Sequence, residues 1–256
     1  LRSRGMSMQI NTTVAKHNTS DTAASTAMST MAAPSFATTG MSALAGRVAL
    51  VTGGARGMGA CISAALYAEG CSVAMLDLDR AKDALDARVR ELGDRSMAVV
   101  ADITDQAQVS RAFAAARERF GRIDILVNNA GMAESAPFAR TDLALWQKMI
   151  AVNLTGTYLC THEVLPSMLK QDYGRIVNMA STGGLICYAY VSADCAAKHG
   201  VIGLTRALAL ETAKTAVTVN AICPGYAETD IVKNAVKNIM AKTGKSEAEA
   251  RAALTS

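Results

Sequence analysis

From residue 47 onward two hydrophobic patterns alternate along the chain. Short apolar runs at 48–51, 72–77, 96–102, 123–128, 175–179 and 217–222 have the length and β-branched content of buried strands. Between them lie longer stretches with helical spacing, at 60–69, 81–92, 105–120 and 142–170, then one carrying Asp194 and Lys198 and one from about Thr229. Strands joined through helices of these lengths return in parallel by right-handed crossovers. The pattern therefore predicts an α/β fold: a single Rossmann-type domain with a doubly wound parallel sheet, whose ligands bind at the carboxyl ends of the strands.

The first 40 residues have neither period. They are rich in Ser, Thr, Ala and Met and nearly free of acids, so a disordered tail is expected. Their basic, hydroxyl-rich character loosely matches an organelle transit peptide but lacks an Arg-rich amphipathic face. The chain opens on Leu1 and the patterned region on Met41, so the plainer reading is an over-extended reading frame upstream of a domain at 41–256. At the other end Ser256 follows soon after the helix expected from Thr229. The sheet is accordingly expected to lack its last edge strand, with the domain C-terminally incomplete.

Composition narrows the function classes. Half the residues are hydrophobic and the formal charge is only +4, without a Lys/Arg stripe interleaved with aromatics, so nucleic acid is not an expected partner. Polar residues interrupt every apolar run before it reaches membrane-spanning length. The six cysteines are scattered, with no Cys-x-x-Cys pair, and read as reduced thiols of a cytoplasmic protein. His17, His162 and His199 show no ligand spacing, so no metal site is expected.

Two stretches carry candidate chemistry. Thr-Gly-Gly-Ala-Arg-Gly-Met-Gly at 52–59 lies between a strand and a helix, where main-chain N–H groups can approach a pyrophosphate and the helix N-terminus adds partial positive charge. Asp77, eighteen residues beyond Gly59 at the end of the next strand, can accept from ribose hydroxyls and repel a 2′-phosphate, which favours NAD over NADP. Arg56 and Arg80 pull the other way. In the second stretch Ser181 ends a strand, and Asp194 and Lys198 share a helical face four residues apart. Local pattern alone leaves two readings, a proton-handling site or an ordinary helix bearing one i,i+4 ion pair.

Seven motifs in order resolve more. Thr-Gly-Gly-Ala-Arg-Gly-Met-Gly (52–59), Asp102-Ile103, Asn128-Asn-Ala-Gly131, Asn153, Ser181, the helix with Lys198, and Pro224-Gly225-x-x-x-Thr229 resemble the motif set of the short-chain dehydrogenase/reductase family, over residues 44 to about 240. The resemblance implies an NAD(P)-dependent oxidoreductase interconverting a small-molecule secondary alcohol and ketone, of 3-hydroxyacyl or 3-oxoacyl type, assembled as a homodimer or homotetramer. It implies that Gly53, Arg56, Gly57, Met58 and Gly59 border the pyrophosphate, Asp77 the ribose, and Asp102 with Ile103 the adenine. Asn128, Asn129, Ala130 and Gly131 would follow along the cofactor or brace its strand, with Pro224, Gly225 and Thr229 at the nicotinamide end.

For catalysis it implies Ser181 on the substrate oxygen, Lys198 beside the nicotinamide ribose and Asn153 behind it. The family's tyrosine of Tyr-x-x-x-Lys is replaced by Asp194. A carboxylate reaches less far than a phenol, and next to Lys198 its pKa is expected to fall below about 4, leaving no proton to donate at neutral pH. Impaired activity is the expectation, against the alternative of a catalytically silent NAD(P)-binding or interaction protein. Tyr188 and Tyr190 are expected in the loop over the substrate, too far from Lys198 to replace the missing phenol.

Overall fold

The structure, a computed structural model, describes residues 42–225 together with 236–237, 240, 243–244 and 246–250. Six strands form one sheet: β1 (Val48–Thr52), β2 (Ser72–Asp77), β3 (Ser96–Val100), β4 (Ile125–Asn128), β5 (Gly174–Met179) and β6 (Val217–Ile222). Their spatial order is β3-β2-β1-β4-β5-β6, and every neighbouring pair is parallel. The chain winds outward from β1 in one direction, then restarts on its other side with β4. That reversal opens a crevice between the carboxyl ends of β1 and β4. The tail at 1–40 and Thr229 lie outside the described residues.

Helices cover both faces, which is why the strands are apolar throughout instead of alternating. On one face pack α1 (Gly57–Ala68) and α2 (Lys82–Leu92), with Met58, Ile62 and Leu66 of α1 set against Val51, Val73 and Met75. On the other pack α3 (Gln106–Phe120) and α5 (Gly156–Lys170), joined by the end of α6 (Ser192–Glu211). Val109, Ala112, Phe113 and Ala116 form the buried stripe of α3 at helical spacing. Phe113 is wholly enclosed, a burial that contributes on the order of 1.5–3 kcal/mol. Among the described residues, no helix is long and apolar enough to cross a membrane.

Element ends differ from the sequence expectation where a side chain takes over main-chain bonding. β3 stops at Val100 because Asp102 forms its own turn, its Oδ1 accepting from Thr104 N–H at 2.9 Å and Thr104 Oγ1 at 2.7 Å. Helices do start where Asp105 and Asp142 predict, each capping its helix by accepting from the N–H three residues on. The first helix begins at Gly57, inside the glycine turn.

The largest correction concerns 142–170, expected as one regular helix. It is α4 (Leu143–Ile150), a π turn at Ala151–Thr155 and α5. The wide turn adds a residue to the rung and re-aims the side chains within it, an arrangement frequent at functional sites. Gly156 follows at once, and a Cβ there would meet Ile103 Cδ1 at 2.5 Å, so the helix approaches the β3 loop only because no side chain intervenes.

A chain of buried amides and hydroxyls locks β4 and β5 to the helices. Asn128 Nδ2 donates to Thr161 Oγ1 and to Asn178 Oδ1, and Asn178 Nδ2 donates to Thr205 Oγ1, each at 2.9 Å. Buried polar groups left without partners are costly. Replacing Asn178 by Leu is expected to lower the unfolding free energy by about 2 kcal/mol or more in urea melts; an unchanged midpoint would remove this chain from the account of stability.

Candidate active site

Residues from both sides of the β1–β4 crevice line a cleft of about 910 Å³. Its floor is the glycine turn after β1. Gly53 has φ of +65°, and a Cβ on Gly59 would stand 2.0 Å from Gly53 O, so the turn and the first rung of α1 can approach only with bare backbone. Thr52 pins the opposite wall: its Oγ1 accepts from Asn129 N–H and Ala130 N–H, both at 3.0 Å, while Asn129 Nδ2 donates to Thr52 O and Gly53 O.

Along the cleft stand Gly53, Arg56, Gly57, Met58 and Gly59 from the turn, Asp77 from β2, Asp102 and Ile103 from the β3 loop, and Asn129, Ala130 and Gly131 from the β4 loop. Asp77 accepts from Ala55 N–H at 3.1 Å and from Leu78 N–H at 2.9 Å, which orients its carboxylate at the β2 terminus. Asn128 turns away from the cleft into the buried chain of amides. The cations Arg56, Arg80, Lys148 and Lys237 outnumber the acids Asp77 and Asp102 on this lining. A bare-backbone cradle at a helix N-terminus with a surplus of positive charge fits a dinucleotide's diphosphate.

Sequence reasoning missed several of these residues. Thr52 was read only as the first letter of the glycine motif, although it anchors the β4 loop. Lys148 and Lys237 carry no signal in sequence, because a lysine on a helix is ordinarily a solvated surface residue. Thr104 was legible in principle, as the partner two residues beyond an Asp in a turn.

Beyond Gly131 the cleft meets a second group of side chains. Asn153, 1% exposed, lies in the π turn, accepts from Met132 N–H at 2.9 Å and donates to Met132 O at 2.8 Å. Its Nδ2 also lies 3.3 Å from Asp194 Oδ1. Ser181 follows β5, its Oγ accepting from Gly183 N–H at 3.0 Å, and a Cβ on Gly183 would sit 3.4 Å from Ser181 Oγ and 3.8 Å from Asp194 Oδ2. Lys198 donates to Met179 O at 2.9 Å. A Cβ on Gly131 would stand 3.0 Å from Asn153 Oδ1 and 3.6 Å from Lys198 Nζ, which places this group at the inner end of the cleft. Pro224 is brought to the same wall, its carbonyl accepting from Thr182 N–H, and Gly225 follows it at an exposed position.

Two expectations about Asp194 are corrected. It forms no ion pair with Lys198: the ammonium turns to the Met179 carbonyl and the carboxylate to Asn153. Nor does its pKa fall. Burial pushes the Asp194 carboxyl up, and the nearby Lys198 charge offsets only part of that. Burial likewise lowers Lys198, against the pull of Asp194. Desolvation at the inner end of the cleft outweighs attraction between two groups that do not touch. The loop above holds both tyrosines: Tyr188 Oη donates to Thr182 Oγ1 at 3.0 Å, and Tyr190, exposed and at φ +67°, has its carbonyl tied to Ala136 N–H.

Comparison with known proteins follows the same boundaries. Residues 47–239 match the short chain dehydrogenase family. The chain is 41% identical over 203 residues to D-beta-hydroxybutyrate dehydrogenase of Cupriavidus necator, covering 78% of this chain and 78% of that one. Its fold superposes on 3-ketoacyl-(acyl-carrier-protein) reductase from Brucella melitensis complexed with NADH with a TM-score of 0.71, 33% identity and coverage of 73% and 79%. A variant of actinorhodin polyketide ketoreductase with NADPH gives a TM-score of 0.76, 37% identity and coverage of 80% and 79%.

The raised carboxyl has a consequence for stability. A group whose pKa rises on folding contributes stability below its unfolded value, about 4 for Asp, and loses it as pH climbs through the folded value. Asp194→Asn keeps an oxygen for Asn153 and has no charge to bury. Its advantage over the wild type is expected to grow as pH rises from about 4 and to level off above the folded value. Urea unfolding over that range measures it, and an advantage that shrinks with rising pH would contradict the burial argument.

Proposed function

The chain belongs to the short-chain dehydrogenase family and is a nicotinamide-dependent oxidoreductase acting between hydroxyl and ketone groups, and on that premise we propose that its substrate is a 3-hydroxyacyl compound or the matching 3-oxo compound. The observation that carries the reading is the joining of a cleft with a bare-backbone cradle, at Gly131, to a half-buried hydroxyl, carboxyl and ammonium and a buried amide. When bound, the nicotinamide supplies the hydride or accepts it. Gly53, Arg56, Gly57, Met58 and Gly59 would hold its diphosphate, Asp77 the ribose, Asp102 and Ile103 the adenine, and Asn129, Ala130 and Gly131 the inward half, with Pro224, Gly225 and Thr229 at the reacting end.

The chain's own groups divide the remaining work. Ser181 Oγ already accepts from Gly183 N–H, which leaves its hydroxyl proton free to point at a substrate oxygen. Lys198 is fixed through Met179 and keeps further N–H groups for a ribose hydroxyl and for the electrostatics of proton transfer. Asn153 fixes the Met132 loop and steadies Asp194. Asp194 holds the proton position. Its raised pKa brings it nearer neutrality than an ordinary carboxyl, which favours proton exchange, but it is shorter than the tyrosine its relatives' motif carries there. Turnover is therefore weak in this chain.

Asp194→Tyr is expected to raise the rate about a hundredfold or more with 3-hydroxybutyrate or a 3-oxoacyl thioester, followed by NADH absorbance. A folded variant that binds NADH and shows no gain would favour a silent nucleotide-binding protein.

Asp77 further supports NAD over NADP, because its carboxylate, anchored at the end of β2, would meet the ribose and repel a 2′-phosphate. Asp77→Ala is expected to weaken NADH binding about tenfold and to narrow the gap to NADPH, read by fluorescence titration. Tighter NADPH than NADH binding in the unaltered chain would reverse the preference and assign Arg56 and Arg80 to the phosphate.

A further inference from the structure

Asp194 has one oxygen to spare. Its Oδ1 lies 3.3 Å from Asn153 Nδ2, whereas Oδ2 has no hydrogen bond or salt bridge to any of the described residues. That free oxygen stands beside the bare Cα of Gly183: a Cβ there would be 3.8 Å from Asp194 Oδ2 and 3.4 Å from Ser181 Oγ, so the carboxylate and the hydroxyl flank the same glycine. Lys198, one helical turn on, donates to Met179 O at 2.9 Å and leaves the oxygen unpaired. A half-buried carboxylate oxygen without a donor is costly, and the group that relieves it most is a cationic N–H. Burial raises the Asp194 carboxyl, which states the same cost from the proton's side: negative charge is unfavourable at this position until a cation arrives.

We propose that the chain also reduces cyclic imines to amines, with the Asp194 carboxylate paired to the N–H of the protonated imine; this activity rests on the chain being a nicotinamide-dependent oxidoreductase. Ketone and imine make opposite demands on residue 194. A ketone oxygen gains negative charge as hydride arrives and needs a proton donor, which a carboxylate is not. An imine nitrogen is basic. It enters already protonated, or takes the proton of the Asp194 carboxyl, and in both cases a cation comes to face an anion.

The protonated imine carbon then takes up the hydride of reduced nicotinamide, and the C=N π pair moves onto nitrogen as a lone pair. The nitrogen keeps the proton it already holds, so no further donor is required. One C–H bond forms on the substrate and one breaks on the cofactor; the imine is reduced by two electrons and the nicotinamide oxidised by two. The positive charge passes from substrate to cofactor, and atoms and charge balance. The aspartate that weakens carbonyl reduction is therefore matched to this substrate class.

The test compares two compounds with the same carbon skeleton, 2-methyl-1-pyrroline and 2-pentanone, at equal concentration with NADH and the full chain. The imine is expected to turn over about tenfold faster or more, the ratio that one charge-assisted hydrogen bond supplies. Binding is read separately by calorimetry on the NADH-loaded chain, where neither ligand can react. There 2-methylpyrrolidine, a cation at neutral pH, is expected to bind about tenfold or more tighter than 2-pentanol. Asp194→Asn keeps the size of the side chain and is expected to abolish both preferences while NADH binding persists. Equal binding of amine and alcohol by the unaltered chain would overturn the proposal without any variant, and so would a preference that survives in Asp194→Asn. Neither result bears on the 3-oxoacyl reading, which stands or falls on the gain in Asp194→Tyr.

Discussion

One buried carboxamide holds the working half of this protein together. Asn153 bonds both the N–H and the carbonyl of Met132 and reaches Asp194 with what remains. Three separate elements thereby become one wall: the loop after β4, the helix through 151–155 and the start of α6. The arrangement depends on the π turn, since a regular helical rung would direct residue 153 elsewhere. It depends equally on Gly131, where any side chain would crowd the Asn153 oxygen.

The same enclosure decides the electrostatics. Taking Asp194 and Lys198 out of water shifts both toward their neutral forms, and without a direct contact their mutual attraction does not restore the balance. A phenol at residue 194 would suffer less from burial, because its neutral form dominates at neutral pH. The aspartate therefore costs stability at neutral pH in a position where the proton must also be handled. The rest of the wall is built as though for the larger group: Ser181 is braced by its own loop, Lys198 by Met179, and the Thr182–Pro224 bond brings in the β6 end.

The strand and helix alternation, the glycine turn, Asp77 and the order of the motifs were legible in sequence, because each depends on local period or on a short turn with fixed chemistry. Family membership followed from those motifs. What sequence alone misjudged was relational. The spacing of Asp194 and Lys198 pointed to an ion pair, yet both side chains found other partners on β5 and in the π turn, 19 and 41 residues away. The pKa of Asp194 was misread for the same reason: desolvation depends on everything packed around a group, and only the tertiary structure contains that sum. Thr52 as the clamp of the β4 loop and Met132 as the partner of Asn153 likewise arise from strands and loops brought together by the crossover topology. Sequence determined which groups this chain can offer; three-dimensional packing decided which of them touch, and therefore which way the pKa values of Asp194 and Lys198 move.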